Sequence, residues 1–115
     1  MQRYPAPVGL RVDLTARLAP AIEAAAYFVV SEALTNVAKY AGACTAEVGI
    51  AASAETLVVR ISDDGVGGAN AGKGSGLQGL ADRVEAVGGR LDVSSRRGHG
   101  TTIRAVMPTS VLASL

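Results

Sequence analysis

Only two stretches of this chain space their apolar residues as a helix does, and both stand among runs that alternate as strands do. Residues 8–14, "VGLRVDL", alternate apolar and polar positions, the period of a half-buried strand. From about 18 to 41 the spacing is helical, with Pro20 compatible with a first turn and Gly42 with a stop. Runs at about 44–52 and 56–63 read as strands joined by "ASAE", a link short enough for an antiparallel hairpin. A second helix spans about 76–87 and ends at Gly88-Gly89, where a left-handed stop is favoured. Strands at about 90–96 and 101–107 flank "RRGHG", and Pro108 closes the last one. Two helices are too few to cover both faces of five strands. The predicted fold is therefore α+β: a two-layer sandwich, an about five-stranded mixed sheet with helices packed on one face. The tail "TSVLASL" carries no assignment.

Residues 1–115 read as a single domain, without repeats or linkers. A chain of this length buries roughly 60–70% of the surface its unfolded form exposes, enough for a core. Aromatic residues are 3% of the chain, so that core must come from Val, Leu, Ile and Ala. This favours helices on a sheet over an aromatic-filled barrel.

The formal charge of +1 includes no basic stripe, and aromatics are too few for a stacking platform. Nucleic acid is therefore not an expected partner. Cys44 has no second cysteine to pair with, which suits a reducing compartment, and it reads as a packing residue. One cysteine and one histidine cannot make a structural zinc site. The N-terminus lacks a basic region followed by an apolar run. The most apolar window contains Glu23, Glu32 and Lys39, so no membrane contact by this domain is expected.

Gly74-Ser-Gly-Leu-Gln-Gly79 fits the G-x-G-x-x-G pattern of dinucleotide sites, but its surroundings do not. The preceding strand ends near Asp63, about ten residues too early, and Arg96–Gly100 lie where a ribose-binding carboxylate belongs. What remains is a glycine-rich segment, 64–75, running into a helix start. Such a start offers free N–H groups and partial positive charge to an anion, but taken alone the segment is better read as a flexible loop before an ordinary capped helix.

On the first helix, Glu32, Asn36 and Lys39 are spaced by four and three and so project from one face. Val29, Val30, Ala33, Leu34 and Val37 would meet the sheet. The polar trio reads either as a solvated ladder or as a metal-phosphate face. In the second case Asn36 supplies a neutral hard oxygen for magnesium and Lys39 neutralises phosphate.

Four segments together carry more. "SEALTNVAKYA" (31–41), "DDGVGG" (63–68), "GSGLQGLADRV" (74–84) and "GHGTTI" (98–103) follow the order and approximate spacing of the four motifs of a GHKL, or Bergerat-fold, nucleotide-binding domain. The chain resembles the catalytic, ATP-binding domain of bacterial two-component sensor histidine kinases, over residues 8–108. "NVAK" and "GLQGLADRVEAVGG" are similar to the subgroup that serves NarL-type regulators.

The resemblance implies ATP and Mg2+ as cofactors and assigns roles by position. Asn36 resembles the magnesium-binding asparagine, Glu32 the acidic residue near metal and phosphates, and Lys39 a phosphate-reaching base. Asp63 matches the aspartate that accepts from the adenine amine. Gly65 and Gly67 shape the floor beneath the base, and Gly74, Gly76 and Leu77 close over the phosphates as a lid. Thr101 or Thr102 matches the threonine near adenine. A carboxylate at 63 suits the adenine amine and would oppose guanine O6, so a preference of roughly tenfold for ATP over GTP is expected.

Two positions depart from the pattern. Tyr40 stands where the subgroup carries histidine, and Asp64 replaces the common asparagine of "DNG". Tyr40 can hydrogen-bond but stays uncharged near neutral pH, which puts phosphate contacts in question rather than adenine binding. His99, in a turn, reads as a surface residue and not a phosphoacceptor. The resemblance implies an acceptor histidine on a separate helical hairpin of the parent protein, with a response regulator as the eventual recipient. The 115-residue chain is thus expected to be cytoplasmic and monomeric, and to bind ATP without phosphorylating itself. Its parent could be membrane-anchored. The alternative is an anti-sigma-type serine kinase of the same fold. A nucleotide-gated module of the gyrase or mismatch-repair type would need long lid and transducer segments that this chain lacks.

Overall fold

The computed structural model describes residues 8–14, 17–36, 45–64, 77–95 and 100–110. In chain order the elements are β1 (Val8–Leu14), α1 (Pro20–Asn36), β2 (Ala46–Ala52), β3 (Thr56–Asp63), α2 (Leu77–Ala86), β4 (Arg90–Ser95) and β5 (Thr101–Pro108). The expected end of the first helix at 37–41 and most of the loop at 64–75 lie outside the described residues.

The strands form one sheet in the order β1-β2-β3-β5-β4. β1 pairs with β2 in parallel, and the other three pairings are antiparallel, so the sheet is mixed. Both helices lie on one face, α1 over β3 and β5 and α2 over β4 and β5. The two-layer expectation holds.

Strand alternation decides which side chains enter the core. On β3 these are Leu57, Val59 and Ile61, and on β5 Ile103, Ala105 and Met107, all buried. Leu77, Leu80 and Val84 meet them from α2, and Ile22, Ala25, Ala26, Val29 and Ala33 from α1. Each buried Leu, Ile or Val stabilises the fold by about 1.5–3 kcal/mol.

The face of α1 is turned from the one expected. Val29 and Ala33 are in the core, but Val30 and Leu34 are only half-buried at its margin, and Val37 lies outside the described residues. Ala25 and Ala26, small enough to let the helix approach the sheet, take the central places.

Helix ends fix the direction of travel. The Ala19 carbonyl accepts from the N–H groups of Ile22 and Glu23, at 3.0 and 2.9 Å, so Pro20 opens α1 where its missing N–H costs nothing. Ala19 N–H in turn donates to the Thr109 carbonyl at 2.9 Å. Thr109, from the tail that the sequence left unassigned, is buried. Its N–H donates to Glu55 O at 3.0 Å and its hydroxyl to Ala54 O at 2.9 Å. One threonine thus ties the start of α1, the β2–β3 hairpin and the end of β5. α2 ends in a left-handed turn at Gly88, φ 86°, with Gly89 N–H donating to Val84 O at 2.9 Å and Gly88 N–H to Glu85 O at 3.0 Å.

Candidate nucleotide site

α1 starts beside Thr109, at the end of the sheet where β5 finishes and β3 begins. Its 17 residues extend about 24 Å at 1.5 Å per residue. The eight residues of β3 extend about the same distance at about 3.3 Å each. Packed on β3, α1 therefore delivers Asn36 to the end of the sheet where Asp63 lies. α2 runs the other way, since Gly88, just past its C-terminal end, lies beside Pro108, whose Cγ would be 3.9 Å from a Cβ at that position. Its opening residue, Leu77, buried at 1% exposure, faces the same end as Asp63.

Register partners across the sheet end are Ala46, Asp63, Thr101 and Ser95, on β2, β3, β5 and β4. Asp63 continues the core-facing series Leu57, Val59, Ile61, and Thr101 begins the series Ile103, Ala105, Met107. Both therefore project from the helix side of the sheet, half-buried where the hydrophobic cover ends. Thr102 faces the opposite side, where its hydroxyl donates to Ser62 Oγ at 3.5 Å. Of the two threonines, only Thr101 shares a face with Asp63. Its hydroxyl lies 2.8 Å from Ser95 Oγ. Ser95 went unremarked in the sequence, although strand alternation could have found it.

Gly100 precedes Thr101 at φ 77°, and a Cβ there would collide with the Asp63 carbonyl oxygen. The close approach of the two strands at this point requires glycine.

Asn36, the last described residue of α1, has its Nδ2 buried and without a hydrogen-bond partner among the described residues. A buried polar atom left unpaired costs about 1–3 kcal/mol. A half-turn of the amide presents Oδ1 at the same place. Glu32, half-buried, lies one helical turn before it on the same face.

Asp64 has a defined structural task. Its carboxylate accepts from Thr45 N–H at 2.7 Å and from Thr45 Oγ1 at 3.1 Å, while Asp64 N–H donates to Thr45 O at 3.2 Å. These bonds close β2 against β3 immediately beyond Asp63. The sequence suggested only that an aspartate was tolerable here.

Lys39, Tyr40, Cys44, Gly65, Gly67, Gly74, Gly76 and His99 lie outside the described residues. A shallow depression on the opposite sheet face, lined by Gly9, Arg11, Glu47, Gly49, Arg60 and Ser62, does not touch this site. No helix among the described residues is long and apolar enough to cross a membrane.

Comparison with known proteins bears on the family and the fold. Residues 21–111 match the family described as "Histidine kinase-, DNA gyrase B-, and HSP90-like ATPase". The oxygen sensor histidine kinase NreB of Staphylococcus carnosus is 35% identical over 91 residues, covering 76% of this chain and 26% of that protein. The sensor histidine kinase LnrJ of Bacillus subtilis is 34% identical over 76 residues, covering 66% of this chain and 19% of that protein. The chain thus spans 26% and 19% of the length of these two relatives. Among solved structures, the blue-light activated histidine kinase of Erythrobacter litoralis superposes with a TM-score of 0.64 at 24% identity, covering 88% of this chain and 36% of that one. The histidine kinase domain of the same protein gives 0.62 at 24%, covering 89% and 52%. These two likenesses concern the fold. The family match takes in α1, α2 and four of the five strands, with Asn36, Asp63 and Thr101 inside it, and this chain belongs to the family of histidine kinase-, DNA gyrase B- and HSP90-like ATPases.

Proposed function

We propose that the chain is the ATP-binding catalytic domain of a two-component sensor histidine kinase, donating the γ-phosphate of ATP to a histidine on a helical domain of its parent protein. A response regulator, of the NarL type, then receives the phosphoryl group. The observation that carries this reading is the buried Asn36 Nδ2, which has no hydrogen-bond partner among the described residues, at the end of the sheet that holds the Asp63–Thr101 pair.

The residues fit the ligand. Asp63 offers a carboxylate to the adenine amine, and the Thr101 hydroxyl lies beside it on the same face. Asn36 and Glu32 would hold Mg2+ and its water, and the ion supplies charge neutralisation to the phosphates. Lys39, Gly74 and Gly76 are assigned to the phosphate side by motif alone, and Gly65 and Gly67 to the floor of the base. Phosphoryl transfer needs little covalent help from the protein, so these residues orient and neutralise. The acceptor supplies the nucleophile.

Calorimetric titration with Mg-ATP and Mg-GTP tests the binding half of the proposal. Binding that favours ATP by roughly tenfold is expected, and silence toward both nucleotides defeats it. Labelled Mg-ATP with the parent helical domain tests the transfer half. An acid-labile label on that domain, and none on this chain alone, is expected. A label that survives acid marks a serine acceptor instead.

A further inference from the structure

β1 is an edge strand: it pairs with β2 on one side and with no described strand on the other. Among the described residues the helix layer lies mainly over β3, β4 and β5, away from β1. Consequently Leu10, Val12 and Leu14, on its helix side, are 69%, 51% and 48% exposed. On the other side stand Arg11 and Asp13, exposed, their side chains without an ion pair or hydrogen bond among the described residues. An open edge with an apolar strip is a template for strand addition unless something covers it.

The sequence of this edge says what fits. Residues 10–14 read Leu-Arg-Val-Asp-Leu, the same in chemical type from either end except that the charge changes sign about Val12. An antiparallel copy centred on Val12 sets Leu10 opposite Leu14 of the second chain, Val12 opposite Val12, and Arg11 opposite Asp13. Apolar meets apolar on one face and cation meets anion, twice, on the other. Such a two-fold contact is self-complementary. A shift by two residues loses it, because Arg11 then faces arginine or Asp13 faces aspartate.

We propose that two copies of this chain associate through antiparallel pairing of β1, joining two five-stranded sheets into one continuous sheet. The interface is small, so association is weak and concentration-dependent. The monomer expected from the sequence is then the dissociated form. Parallel pairing is excluded by the same residues, since it sets like charges opposite each other.

Sedimentation equilibrium over about 10 μM to about 1 mM protein reads the effect. Wild type is expected to dimerise, and R11D and D13R each to weaken dimerisation about tenfold by opposing like charges. The double variant R11D/D13R restores opposite pairing and should return to within about threefold of wild type. A second measurement fixes the register. In a Cys44→Ser background, V12C should cross-link under mild oxidation, because two central residues lie about 5 Å apart. L10C should not, its two copies being about 14 Å apart. A wild-type monomer at all concentrations overturns the proposal, as does a double variant no better than the single ones. Equal cross-linking by V12C and L10C also overturns it. So does a monomer whose β1 amides are protected from exchange, which would mean that the chain covers its own edge.

Discussion

Asp63 and Thr101 are register partners across β3 and β5, and both project from the sheet face that carries the helices. Strand geometry therefore separates two adjacent threonines that the sequence leaves equivalent. Thr101→Val should weaken ATP binding several-fold, while Thr102→Val, on the far face beside Ser62, should leave it unchanged. Asp63→Asn removes a charge-assisted bond worth about 1.5–3 kcal/mol, so affinity should fall roughly ten- to a hundredfold. Calorimetry on the three variants checks the ranking, and equal losses at 101 and 102 would refute the assignment.

The Asp64 carboxylate holds Thr45 through two bonds, one to its N–H and one to its hydroxyl. Asp64→Ala leaves both donors to water and should cost about 1 kcal/mol, the pair being solvent-exposed. Asp64→Asn keeps one acceptor and should cost less. Because the bond is local, the direct readout is amide exchange at Thr45. Exchange there should quicken in Asp64→Ala while the central strands keep their protection.

At Gly100 the backbone adopts φ 77°, and a Cβ would strike the Asp63 carbonyl. The left-handed conformation alone costs about 1–2 kcal/mol with a Cβ present, and the collision adds to it. Gly100→Ala should therefore lower the melting temperature by roughly 10 °C in a domain of this size. It should also weaken ATP binding by displacing Asp63. Gly79→Ala is the control, since a Cβ there meets nothing within 4 Å and alanine is the better helix former.

The layering of this fold was legible because period-two and helical spacing are local signals, and Gly88 and Pro20 mark boundaries by their own backbone limits. The face of α1 was misjudged for a reason in its composition. Ala21, Ala24, Ala25 and Ala26 spread small apolar residues around much of its first half, and only packing against the sheet selects Ile22, Ala25 and Ala26. Asp63 was readable from its motif, but its pairing with Thr101 rather than Thr102 depends on register, which no local pattern encodes. Thr109 was invisible for the same reason, because its partners Ala54, Glu55 and Ala19 are distant in sequence. The Asp64–Thr45 contact also spans two strands and leaves no trace in spacing.

The proposed role of Asn36 can be tested by separating stability from binding. An asparagine kept for the fold should be hydrogen-bonded, and its removal should destabilise; here the buried Nδ2 has no partner among the described residues. Asn36→Ala removes an unsatisfied polar atom and raises helix propensity, each effect favouring the folded state. The unliganded variant should be as stable as wild type or more so, by up to about 1 kcal/mol. Its affinity for Mg-ATP should nevertheless fall tenfold or more, and most of the enhancement that Mg2+ gives over ATP alone should vanish. Denaturant melts without ligand, paired with titrations in Mg2+ and in EDTA, measure both quantities on one protein. A marked loss of stability in the free variant would make Asn36 a structural residue, whatever became of the nucleotide. Retained stability with an unchanged magnesium dependence would move the cation elsewhere.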